Sequence, residues 1–146
     1  MAVLISVVVG YFAFSSVTGG GSSGLNGLWL ADSSDLFFVP VPDNPGKKAN
    51  IPGHVLYEFS GRKFTYWLVV DNSRKPRVRI KRGEGTFSIT DGRIEFIWDG
   101  NNRPDVQNFS RTENTITLGY DRFTRSQANL FRIGTVTVHG DRMVID

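Results

Sequence analysis

The sequence predicts an all-β protein, an antiparallel up-and-down meander of roughly eight to ten strands that closes into a barrel. Three observations predict it. Apolar side chains recur at every second position from Leu25 onward, and residues that tolerate positive φ interrupt these runs at short intervals. No stripe at i, i+3, i+4, i+7 is sustained after residue 25, so nothing asks for an amphipathic helix.

The elements follow in order. Val55, Tyr57 and Phe59 alternate with Leu56, Glu58 and Ser60; Phe64, Tyr66, Leu68 and Val70 alternate with Thr65, Trp67 and Val69. Phe87 and Ile89 face away from Thr86, Ser88 and Thr90, as Ile94, Phe96 and Trp98 do from Arg93, Glu95 and Asp99. Ile116 and Leu118 lie among Thr115, Thr117 and Gly119, and Val136 and Val138 among Thr135, Thr137 and His139. Successive side chains of a strand point to opposite faces, so each run describes a strand with one buried side. Ser60-Gly61-Arg62, Asp99 to Asn102, Glu113-Asn114 and His139-Gly140-Asp141 supply the turns. Asp91-Gly92 is the strongest hairpin signal, because a two-residue type I′ loop needs positive φ at both positions. Val39 to Pro52 (VPVPDNPGKKANIP) holds four of the six prolines and reads as a long loop, a candidate lid over one end.

Ahead of this body lies an apolar leader. All 31 charged side chains follow Ala31. Ala2 to Phe14 (AVLISVVVGYFAF) is too short for the ~20 apolar residues of a spanning helix and matches the core of a signal peptide. Its β-branched residues would also suit a buried strand, the less favoured reading. The expected organisation is a signal peptide or membrane anchor at 1–17, a Gly/Ser linker at 18–24 and the barrel at 25–146. Gly19, Gly21 and Gly24 satisfy G-x-G-x-x-G, but no helix pattern follows them, as a nucleotide loop requires.

Four segments carry a family likeness: Gly27-Leu28-Trp29 as G-x-W, Tyr57 to Phe64 (YEFSGRKF), Gly85 to Phe96 (GTFSITDGRIEF) and Asn108 to Leu118 (NFSRTENTITL). In these segments the chain resembles the lipocalin-like (calycin) barrels, and more closely the short lipocalin-like domains of uncharacterised exported bacterial proteins. The resemblance implies a barrel whose base is closed by an arginine packed over the G-x-W tryptophan. Arg132, after Leu130 and Phe131, is the match by position.

Two groups of residues are candidates for function. Trp29, Tyr57, Phe59, Phe64, Tyr66, Phe87, Phe96 and Trp98 all fall on inward faces. They either fill a small barrel as a solid core or line a pocket for one small apolar ligand. The second group is Arg77, Arg79 and Lys81, on one face of the run Arg74 to Arg82 (RKPRVRIKR). Such a face either protects a sheet edge, which Pro76 would suit, or meets an anion: a headgroup, an anionic glycan or an acidic protein.

Catalysis has little to build on. The two histidines, His54 and His139, have no motif partners, and there is no cysteine. No catalytic residue, metal ligand or cofactor is expected. The function expected is that of an exported or envelope-associated binding module, periplasmic or secreted, touching membrane only through its leader and binding no nucleic acid. The alternative is a scaffold barrel that binds an anionic macromolecule through residues 74–82.

Overall fold

Described in the computed structural model are residues 23–71 and 74–146, so the leader expected at 1–17 and most of the linker at 18–24 lie outside the described residues. After a 3-10 turn at Ser23–Leu25, twelve strands follow in these residues. They are β1 (Gly27–Ala31), β2 (Asp35–Pro40), β3 (Lys48–Ser60), β4 (Lys63–Val70), β5 (Arg77–Thr90) and β6 (Arg93–Trp98). Then come β7 (Asp105–Arg111), β8 (Thr115–Leu118), β9 (Asp121–Ser126), β10 (Phe131–Ile133), β11 (Val136–His139) and β12 (Arg142–Ile145).

From β3 to β9 each strand pairs antiparallel with the next, as a meander requires. Strand β1 then pairs with both β3 and β9: Trp29 lies opposite Tyr57 on one side and Arg125 on the other. The result is a ring of eight strands. Asp91 (φ 50°) and Gly92 (φ 74°) form the positive-φ pair between β5 and β6 that the sequence calls for.

Register divides the ring into two ends. At the base, where the chain enters, stand Leu25, Gly27, Phe59, Phe64 and Ser126. At the mouth, β1, β3, β4, β6, β7 and β9 bring up Ala31, Val55, Tyr66, Trp98, Asp105 and Asp121. Strands β3 and β5 are 13 and 14 residues long and run past the mouth. There β2 pairs with β3, and β10 pairs with β5 in parallel.

Three apolar clusters follow from this arrangement. The first fills the ring with Trp29, Tyr57, Phe59, Phe64, Phe87, Ile94, Phe96, Ile116, Leu118 and Phe123 over Leu25. Beyond the mouth, Val39, Ile51, Leu68, Val70 and Val138 join β2, β3 and β4 to the β11–β12 hairpin. On the outside of the wall, Leu28, Leu56, Trp67 and Val69 are covered by Phe131. Strand β4 is therefore buried on both faces over its second half, which its unbroken run Trp67-Leu68-Val69-Val70 reflects.

Two expectations change. Val39 to Pro52 is not a loop: its ends belong to β2 and β3, and only the turn between them is irregular. Pro52 is tolerated because its missing N–H falls at the end of the β3–β4 ladder, where the Asp71 N–H alone crosses, to the Pro52 carbonyl (3.2 Å). Nor is residues 77–79 a free edge, since β10 covers the side of β5 that β6 leaves open.

Candidate functional site at the mouth of the ring

The eight inward aromatics converge on one cluster, but at two levels. Trp29, Phe59, Phe64 and Phe96 are at most 1% exposed, and Tyr57 and Phe87 are also buried. Their rings touch at short range: Phe59 to Phe87 and Phe64 to Phe96 at 4.8 Å, Tyr57 to Phe96 at 5.3 Å. This level is packed. Tyr66 and Trp98 sit higher and are half-buried, their rings edge to face at 5.4 Å. Gly83 makes room for that pair, since a Cβ there would lie 2.7 Å from a Trp98 ring carbon.

Along β7 and at the start of β9 the lining turns polar. Asp105 and Gln107 of β7 lie opposite Phe96 and Ile94, and Asp121 of β9 lies opposite Leu118, so alternation points all three to the inner face. Gln107 Nε2 donates to Asp105 Oδ2 at 3.2 Å. Sequence reasoning missed these residues, although Asp105-Val106-Gln107 signals them by reversing the pattern: Val106 is the residue left outside, 50% exposed.

Two phenols belong to this polar tier. Tyr57 is 5% exposed and Tyr66 half-buried, and neither hydroxyl has a hydrogen-bond partner among the described residues. Burial, reinforced by Tyr66, Asp105 and Asp121, raises the Tyr57 pKa far above that of a free phenol. Burial also raises Tyr66, against the opposing pull of Arg82. A phenol whose pKa is raised on folding stabilises the native state below the unfolded-state value of about 10, and that contribution disappears as pH climbs past it. Denaturant melts should therefore show stability falling above pH ~10, and Tyr57→Phe should flatten the fall.

A cleft of about 290 Å³ opens at the mouth between β1 and β9. Its floor is Ala31, Val55 and Phe123; Asp35, Asp121 and Tyr120 stand at its sides with Ser33 and Ser34. Asp32, also on the wall, is tied to Arg122 Nε and accepts from Thr124 Oγ1 at 2.7 Å. The Thr124 bond, then Arg122, lowers the Asp32 pKa. The Tyr57 ring lies beside the floor, 5.4 Å from Phe123. A broader hollow of about 530 Å³ on the outer wall is lined by polar residues of β5 and β6 with Val106.

At the base, the arginine over the G-x-W tryptophan is Arg125, 4.1 Å from the Trp29 ring. Arg125 Nη1 donates to Asn26 O (3.1 Å) and Nη2 to Gly24 O (2.8 Å), while Trp29 Nε1 donates to Leu25 O (2.8 Å). Arg132 instead sits on β10, opposite Val78 and exposed. Alternation from buried Phe123 selects Arg125, because the two share a face of β9.

Arg77, Arg79 and Lys81 share the outer face of β5, and each has a carboxylate neighbour. Arg77 Nη2 lies 3.0 Å from Asp71, Arg79 Nη1 3.7 Å from Glu58 and Lys81 Nζ 2.6 Å from Glu84. Arg79 also stacks on Trp67 at 4.3 Å, with Nε and Nη1 buried and without an acceptor. His54 Nδ1 meets the same Asp71 at 2.5 Å. The sequence left His54 isolated because Asp71 reaches it only through the β3–β4 pairing. Among the described residues, no three His, Cys, Asp or Glu side chains are grouped to hold a metal ion.

Comparison of the chain with family models, with curated proteins and with solved structures finds no match in any of the three.

Proposed function

We propose that this chain is a lipocalin-like binding module, exported from the cell, that takes one small amphipathic molecule at the mouth of its strand ring. The observation that carries the proposal is the contrast between the two ends. The base is filled with stacked rings, while the mouth keeps a 290 Å³ cleft with an apolar floor and polar sides. Kinship with lipocalins is supported by the Arg125–Trp29 stack and its bonds to the entering chain. Export rests on the composition of Ala2 to Phe14. The cleft is at the lower limit of ligand sites, which run from about 300 to 1,000 Å³, so it suits a molecule of roughly ten to fifteen non-hydrogen atoms bound with affinity on the order of micromolar or weaker.

The alternative, capture of an anionic macromolecule or acidic protein by β5, has less support, because carboxylates of the same chain already neighbour Arg77, Arg79 and Lys81. The test is titration with 2-naphthol, a neutral bicyclic probe, followed by amide NMR shifts. Saturable shifts clustered at Ala31, Val55, Tyr120 and Phe123 are expected. Shifts absent, or scattered over the outer wall, would remove the proposal.

A further inference from the structure

We infer that the base of the ring is a membrane-facing surface that rests on anionic lipid headgroups, with the mouth turned away into the aqueous phase. This goes beyond the reading of the mouth and stands whether or not the cleft takes a ligand. Charge is the first reason. The turns at the base are 60–63, 90–93 and 111–115, and the entering chain joins them beside Arg125. They carry Arg62, Lys63, Arg93, Arg111 and Arg125 against Asp91 and Glu113, all exposed. The chain has 17 basic and 14 acidic side chains, so 12 of each remain elsewhere and the whole formal excess of +3 lies at this end. The segments at the mouth have the opposite balance: Asp32, Asp35, Asp99, Asp105 and Asp121 outnumber Arg103 and Arg122. An anionic surface therefore draws in one end and repels the other, which orients the molecule.

The second reason is where the chain enters. Arg111 Nη2 (3.0 Å) and Arg125 Nη2 (2.8 Å) both donate to Gly24 O, which fixes the entry point at the base. Eight residues, 15–22, lie between Phe14 and Ser23, and eight residues reach at most ~29 Å when fully extended. An apolar run Ala2 to Phe14 seated in a bilayer therefore holds the base, and not the mouth, over the headgroups. Nothing in the first 31 residues opposes that approach, since they contain no charged side chain. Arg62, Lys63 and Arg93 make no ion pair or side-chain hydrogen bond among the described residues, so their charge is available to lipid phosphate. Nucleic acid fits the same charge less well: among the described residues no exposed aromatic ring stands at the base to stack on nucleotides.

The test is flotation of the full chain with vesicles of phosphatidylcholine alone, or of an equal mixture with phosphatidylglycerol, at low salt. The apolar run carries no charged side chain and adds equally to both, so the ratio of the two affinities reports the base. The anionic vesicles should bind at least about tenfold more tightly, with the ratio falling toward one as salt rises. Arg62→Gln, Lys63→Gln and Arg93→Gln combined should remove most of the ratio. Lys47→Gln, Lys48→Gln and Arg103→Gln combined take the same charge from outside the base and should keep it. All six side chains are exposed, so both variants should retain the fold, which circular dichroism checks. Equal affinity for the two vesicles, equal loss in both variants, or tighter binding to a single-stranded oligonucleotide than to the anionic vesicles overturns the inference. None of these results touches the mouth, which the 2-naphthol titration tests separately.

Discussion

Phe96→Ala is expected to lower the stability of the fold by about 3–5 kcal/mol, which for a chain of this size moves the thermal midpoint down by roughly 10–20 °C. Phe96 is fully buried, and four other rings meet it: Phe64 at 4.8 Å, Tyr57 at 5.3 Å, Phe59 at 6.4 Å and Trp98 at 6.5 Å. Those partners are themselves pinned on β3, β4 and on Phe96's own strand β6, so the gap cannot close by a small collapse. The vacated space should take up benzene, because the rings of Tyr57, Phe59, Phe64 and Trp98 stand around it. Thermal unfolding followed by circular dichroism, with and without saturating benzene, measures both effects. A loss below about 1 kcal/mol would mean that the lower ring is not the close-packed body described above.

Arg125→Met is expected to cost about 1–2 kcal/mol, less than its three contacts suggest because the side chain is exposed, whereas Arg132→Met should stay within about 0.5 kcal/mol. Arg125 holds the Gly24 and Asn26 carbonyls and covers the Trp29 ring, so its loss releases the entering segment from the base. Hydrogen exchange at the Trp29 indole N–H, bonded to Leu25 O, should accelerate in the same variant. Denaturant midpoints of the two methionine variants decide the matter. Equal losses would leave the base without the clamp that the geometry assigns to Arg125.

The contrast between those two arginines shows how far the sequence could be read. Alternation located β3, β4, β6 and β8, and Asp91-Gly92 located a hairpin, because each rests on rules that act within a few residues. Arg132 matches the expected arginine by position near the end of the chain, yet its neighbour Phe131 packs on the outside of the wall rather than inside it. A period of two tells which residues share a face but not which face is inside when both are buried, as in β4 and at Leu28 and Leu56. The polar tier was hidden for another reason. Asp105, Gln107 and Asp121 read as solvent-facing because polar residues usually are, and only the register opposite Phe96, Ile94 and Leu118 turns them inward. Likewise the basic strand looked like an edge because β10, its cover, lies some fifty residues on and pairs in parallel.

Strand β1 closes the ring by lying between β3 and β9. During synthesis on the ribosome, its first seam can form once Ser60 has emerged, but the second waits for β9, so most of the chain must leave the exit tunnel as an open ribbon with sticky margins. Nascent chains halted before Asp121 therefore expose bare backbone along β1 and β8, the two margins that only β9 can cover.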